Sequence, residues 1–251
     1  MRNSEQGERS FRIGCRNYSL QILDPALERE VADVVVAARE RRADVQQLLA
    51  VASAPKVRAQ PLTFNPDKVK WLSAKSISEH HAIYAESVNR LNAITEQLAQ
   101  IDVAKAQPGE IGELKREQQG AYNSSLLHEL YFECIGDAPT SPSGVFAQAI
   151  SRDFVSLDRW KAEFAAMGKA MTDGKGLVIL AYTPRDKRLI NHLAADHASG
   201  PVGCVPLMVM DMYEHAYKAD YAGDPAKYVD SFVQMVRWVT PERLYREAIR
   251  V

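Results

Sequence analysis

The run Asp211-Met212-Tyr213-Glu214-His215-Ala216-Tyr217, directly after the apolar stretch 205–210, constrains this chain more than any other segment. The apolar stretch reads as a buried strand, and the residues after it read as a helix. An aspartate that ends such a strand and a histidine on the first turn of the next helix converge on one ion with little movement. The plainer reading of the same pair is a helix N-cap aspartate followed by a core histidine.

The rest of the chain reads as helices and a small sheet around that junction. Ile77, His81, Tyr84, Val88, Leu91, Ile94, Leu98 and Ile101 recur at spacings of three and four, the signature of one long amphipathic helix. Ser76 is its expected N-cap, with Glu79 at the capping-box spacing. Gln107-Pro108-Gly109 breaks the pattern, and a second helix is expected over 111–134, with Leu114, Leu126, Leu127, Leu130 and Tyr131 on its apolar side. Two long helices joined by a short loop pack as an antiparallel hairpin. Residues 136–143, rich in proline and serine, read as a linker. Beyond it, 145–150 and 157–171 read as helices, and 177–182 and 188–193 flank Thr183-Pro-Arg-Asp-Lys187 as a β-hairpin. The expected fold is therefore α+β: an antiparallel helical hairpin over 61–138, then an α/β domain over 143–251 with a small three-stranded antiparallel sheet, helical from His215 to the end.

Composition narrows the function classes. A chain that is 46% hydrophobic and 25% charged, with net charge −1, has an ordinary soluble balance, and no basic run with interleaved aromatics suggests nucleic acid. No apolar stretch approaches the roughly 18 residues of a membrane span. Cys15, Cys134 and Cys204 form no C-x-x-C pair, which argues against a disulfide framework or a thiolate zinc site. Residues 1–60 read as an N-terminal extension. Within it Arg41-Arg42 precedes a mildly apolar run, 45–54, then Pro55, Lys56 and Val57-Arg58-Ala59. That order predicts a twin-arginine export signal over 41–59, cut before Gln60, and a periplasmic location. Such signals start near a terminus, whereas forty residues precede this pair, so the reading places the true start at a valine among 34–36. A plain amphipathic helix, beginning with the helix-like stretch 25–42, and a cytoplasmic location are the alternative.

The segment D-M-Y-E-H-A-Y-x-x-D-Y resembles the metal signature D-x-W-E-H-A-Y of the iron/manganese superoxide dismutases, and the resemblance runs from about residue 62 to the C-terminus. Gly144-Val-Phe-Ala-Gln-Ala-Ile150 resembles the family's G-x-x-x-x-A-I, Ser156-Leu-Asp-Arg-Trp-Lys-Ala-Glu-Phe164 its S-F-x-x-F-K-x-x-F, and Gly174-Lys-Gly-Leu-Val-Ile-Leu180 its G-S-G-W-x-W-L. The resemblance implies one Fe or Mn ion per subunit, iron favoured, held by three histidines and one aspartate with a solvent molecule as fifth ligand. Asp211 and His215 take two of those places. His128 fits the family's N-H-x-x-[FY]-W, and His80 in Ile77-Ser-Glu-His80-His81 fits its I-x-x-H-[HY], with His81 one register away. His197, in the loop before Val205-Pro-Leu207, matches the residue that reaches the bound solvent; an exposed loop histidine is the other reading. Three imidazoles and a carboxylate suit a metal that cycles between +2 and +3, oxidising one superoxide and reducing the next.

The departures from the family lie around the implied metal. Tyr84 stands where the family has a gating histidine, and Val88 where it has a tyrosine. Lys218 replaces a tyrosine at the dimer interface, Asp224 lies near the place of a steering arginine, and Leu177, Phe132 and Tyr213 replace tryptophans. Glu214 matches the residue that bonds the partner's metal histidine, which implies a homodimer. Two functions follow: a superoxide dismutase with His197 and Tyr84 beside the metal, or a non-catalytic metal-binding or structural protein on the same fold.

Overall fold

In the computed structural model the described residues are 9–13, 16–20, 25–53, 56–171, 173–200 and 202–250, and they fall into two compact units divided at Ala54/Pro55. Cys15, Ala54 and Pro55 lie outside the described residues. In the first unit β1 (Arg9–Ile13) pairs antiparallel with β2 (Arg16–Leu20), Arg9 opposite Leu20. The helix α1 (Pro25–Ser53) follows, so the stretch read as helical over 25–42 continues through the arginine pair and most of the apolar run behind it. Val31, Val34, Val35, Val36 and Val45 on α1 are exposed. No helix of the described residues is long and apolar enough to cross a membrane.

The second unit opens with an extended strap fixed to the helix behind it. The side chain of Asn92 accepts from the Val57 amide at 3.0 Å and donates to the Val57 carbonyl at 2.8 Å. The helix α2 (Ala74–Gln100) is capped by Ser73, three residues before the expected Ser76. The Ser73 hydroxyl accepts from the Ser76 amide at 3.1 Å while the Ser73 amide donates to Asp220 at 2.8 Å, so a distant side chain favours the earlier start. The helix α3 (Pro108–Cys134) begins earlier than expected too, with Pro108 at its first position, where the missing N–H costs nothing. Ile77, Tyr84, Val88, Leu91 and Ile94 of α2 are buried, as are Ala121, Leu127, Leu130 and Tyr131 of α3, where the two helices pack.

The architecture is α+β. After α4 (Gly144–Phe154) and α5 (Leu157–Ala170), the strands β3 (Leu177–Thr183), β4 (Arg188–Ala194) and β5 (Val205–Asp211) form an antiparallel sheet in the order β4-β3-β5. Every residue of the central strand is buried, which accounts for its unbroken apolar sequence. Register places Leu177 opposite Asp211, at one end of the sheet.

The C-terminal stretch is helical as expected, in three pieces: α6 (Glu214–Tyr221), α7 (Pro225–Met235) and α8 (Val239–Ala248). Ala222 and Gly223 take left-handed backbone at φ 48° and 82°, and the Asp224 side chain then accepts from the Lys227 amide at 3.1 Å to restart the chain at Pro225. The break folds α7 back against α5, completing a core around Trp160, Phe164, Tyr228 and Phe232.

Candidate metal centre

Four elements deliver one side chain each to a single point. His80 comes from α2, His128 from α3, Asp211 from the last position of β5 and His215 from the first turn of α6. One ligand atom from each lies within 4.8 Å of the other three. The Nε2 atoms of His80, His215 and His128 stand 3.1, 3.2 and 3.7 Å from the same Asp211 oxygen, Oδ2. The other oxygen, Oδ1, accepts from the Tyr213 amide at 2.8 Å, which orients the carboxylate as the chain leaves the sheet. His80, His128 and Asp211 are each 2% exposed.

The protonation of His128 follows from its own helix. Its Nδ1 lies 2.7 Å from the Ser124 carbonyl oxygen, and a carbonyl only accepts, so Nδ1 carries the hydrogen and Nε2 a bare lone pair. That Nε2 is buried with no hydrogen-bond partner and faces a carboxylate oxygen. A lone pair aimed at an anion is unfavourable unless a cation stands between them. Burial lowers the His80 pKa and pushes that of His128 down to about 4, so both rings are neutral near pH 7. Burial pushes Asp211 up, but hydrogen bonds from His215 and His80 outweigh it and hold the carboxylate ionised. An anionic oxygen, the neutral rings of His80 and His128, and the His215 imidazole together are a donor set for a divalent or trivalent first-row metal, without the thiolates that favour softer ions.

Aromatic rings wall the cluster. Tyr131 and Phe132 lie 4.7 and 5.0 Å from the His80 ring, and Tyr213 stacks on His215 at 5.5 Å with an interplanar angle of 8°. His197 sits between Tyr213, at 5.0 Å, and His128, at 5.3 Å, its Nε2 buried without a partner. The apolar pattern places Tyr131 in the core without assigning it to the site, yet its position one helical turn after His128 puts both on one face of α3.

The remaining candidates sit elsewhere. His81 turns away from the cluster and its Nε2 lies 2.9 Å from the Gln60 carbonyl oxygen. Tyr84 is buried with its ring 6.5 Å from His128, but its hydroxyl accepts from the Gln60 amide at 2.9 Å and donates to Glu129 at 3.0 Å. Burial pushes its phenol up to about 12. Val88 is buried, Lys218 forms an exposed ion pair with Glu214 at 2.7 Å, and Asp224 caps α7. Gly174 and Gly176, at φ 67° and 95°, hold the start of α6 to the sheet: the Gly174 carbonyl accepts from the Glu214 amide, and the Gly176 carbonyl from that of Met212. A Cβ on Gly176 would stand 2.7 Å from the Ala194 carbonyl oxygen, too close for any side chain.

Residues 142–243 match the C-terminal domain of iron/manganese superoxide dismutases. An iron superoxide dismutase of Cupriavidus metallidurans is 46% identical over 192 residues, covering 76% of this chain and 97% of that protein. A manganese superoxide dismutase of Mycobacterium intracellulare is 30% identical over 175 residues, 68% of this chain and 81% of that protein. One of the manganese superoxide dismutases of Halobacterium salinarum is 30% identical over 196 residues, 75% of this chain and 94% of that protein.

Proposed function

The chain belongs to the iron/manganese superoxide dismutase family, and from that premise we propose that it converts superoxide to O2 and H2O2 at a mononuclear Fe or Mn site formed by His80, His128, Asp211 and His215. The observation that carries the reading is the bare Nε2 of His128 aimed at the Asp211 carboxylate, which only a cation reconciles. When bound, such a metal supplies one-electron redox chemistry between +2 and +3. Iron is the metal we favour, in keeping with the iron enzyme of C. metallidurans. The chain's own groups fix the donor geometry: the Ser124 carbonyl sets the His128 tautomer, the Tyr213 amide sets the carboxylate plane, and the aromatic wall excludes bulk water from the buried ligands. His197, with its unpartnered Nε2 beside His128, is the residue we assign to hydrogen-bond the metal's solvent. Tyr84 holds the strap and Glu129 in place, and its ring closes one side of His128.

A homodimer joined through Glu214 is part of the proposal, as is export directed by Arg41-Arg42. Elemental analysis with a pulse-radiolysis assay of the metal-loaded protein tests the central reading. One Fe or Mn per chain with dismutation supports it, and full metal occupancy in His128→Ala or Asp211→Ala would overturn the ligand set. Gel filtration at micromolar concentration tests the dimer, which a monomer contradicts, and cell fractionation tests export.

A further inference from the structure

A cavity of about 250 Å³ lies between α3 and the sheet, lined by Gln119, Asn123, His192, His197, Ser199 and Cys204 with an otherwise apolar wall. At about 30 Å³ per molecule it has room for roughly eight waters. Two of the histidines that line it carry imidazole nitrogens buried without any partner: both nitrogens of His192 and Nε2 of His197. Buried polar atoms left unpaired cost about 1–3 kcal/mol each, so three on the lining residues of one cavity call for a partner that both donates and accepts. His192 stands on β4 opposite Ile179 of the fully buried central strand. An apolar residue would pack there without needing any partner. No lysine, arginine or carboxylate lines the cavity, so nothing in it attracts an anion such as superoxide. His197, one of its lining residues, stacks its ring on His128 of the metal cluster.

We propose that this cavity is a water-filled proton conduit to the metal centre, with His192 as its relay residue. The proposal rests on the dismutase reading. Two superoxide anions and two protons give O2 and H2O2, so each turnover draws two protons from bulk water. A neutral imidazole passes a proton along by accepting it at one nitrogen while releasing the hydrogen on the other, and a half-turn of the ring about its Cβ–Cγ bond, which exchanges the places of Nδ1 and Nε2, then resets it with no net charge stored. Burial lowers the His192 pKa and so keeps the ring in that neutral, two-way form. The cavity carries protons, and the anion reaches the metal by another side.

The test compares wild type with His192→Ala and His192→Phe in the metal-loaded enzyme, with water relaxation dispersion on the same proteins freed of metal. In both variants kcat at saturating superoxide falls by about 100-fold, the lower end of what a positioned proton donor contributes, while kcat/KM is unchanged. Imidazole added to the buffer restores kcat in His192→Ala, where it enters the space left, and fails to do so in His192→Phe. Long-lived buried waters seen in wild type disappear in His192→Phe, a readout independent of activity. Wild-type kcat in both variants, a parallel fall in kcat and kcat/KM, or no long-lived water in wild type would overturn the conduit. A metal-loaded wild type that does not dismute superoxide refutes the dismutase reading instead, and the water measurement still reports on the cavity.

Discussion

Replacing His128 by leucine should make the metal-free protein more stable while abolishing the stabilisation that metal brings. Leucine fills a similar volume and removes a buried Nε2 that has no partner, relieving a penalty of about 1–3 kcal/mol. It also deletes the 2.7 Å bond from Nδ1 to the Ser124 carbonyl, worth about 0.5–1.5 kcal/mol, although that oxygen keeps its place in the α3 ladder. The balance is about 1 kcal/mol in favour of leucine, or roughly 2–4 °C in Tm for a chain of this size. Metal works the other way: at a free concentration about 1,000 times Kd it adds roughly 4 kcal/mol to the wild type, and a centre stripped of one ligand gives up most of that. Differential scanning calorimetry with chelator and then with excess Fe(II) or Mn(II) should therefore show the order of the two proteins reversing. A chelated His128→Leu that melts several degrees below chelated wild type would show that Nε2 is satisfied in the folded protein, and the argument for a cation between it and Asp211 would fail.

Acid should weaken the metal-free fold from about pH 6.5 downward, well above the usual carboxylate range of about 4. His128 binds its proton near pH 4 when folded and near 6.5 when unfolded, so the unfolded chain takes up the extra proton and stability in urea titrations falls as pH drops from about 6.5 to about 4, His128 contributing about 3 kcal/mol and the buried His80, His192 and His197 adding in the same direction. Flat stability across that window would contradict the buried, neutral ring. Val155 ends α4 at φ 73°, a backbone that a β-branched residue adopts at a cost of about 1–2 kcal/mol, so Val155→Gly should raise Tm by a few degrees, and a lower Tm would refute the strain. Gly176→Ala should do the reverse, lowering denaturant stability by about 2 kcal/mol or more, because its Cβ meets the Ala194 carbonyl; wild-type stability would show that the turn relaxes. Phe164→Ala should cost about 3–5 kcal/mol in urea unfolding, as expected for a fully buried ring, and a loss below 1 kcal/mol would mean the core collapses around the gap.

The sheet and the helical hairpin were legible because their periods differ, alternation or continuous apolar runs on one side and spacings of three and four on the other. Asp211 and His215 stood out because they are near neighbours at a strand-to-helix junction. His80 and His81 were harder to separate: adjacent residues on a helix point about 100° apart, and both fall near the edge of one apolar face. What separates them is the Gln60 carbonyl, which receives His81 from a strap no periodicity announces. The break after Tyr221 is written in Gly223-Asp224-Pro225, a turn-and-restart signal that the helical reading of the C-terminal stretch leaves undivided. The early cap at Ser73 depends on Asp220, and the partnerless nitrogens of His192 depend on a cavity between α3 and the sheet; both arise from residues distant in sequence.

The separation of the ligands along the chain dictates when the centre can exist. His80 and Asp211 are 131 residues apart, and closing a loop of that length costs about 4 kcal/mol of chain entropy before any contact across it is made. An unfolded chain therefore offers an ion at most the local Asp211 and His215 pair. All four donors assemble only after α2 and α3 have docked on the finished sheet, so capture of the ion is a late event in biogenesis, made by a chain that is already folded. The ion then holds those elements together against the same entropy, and its loss should first be felt as faster opening between the helical hairpin and the sheet and only afterwards as global unfolding.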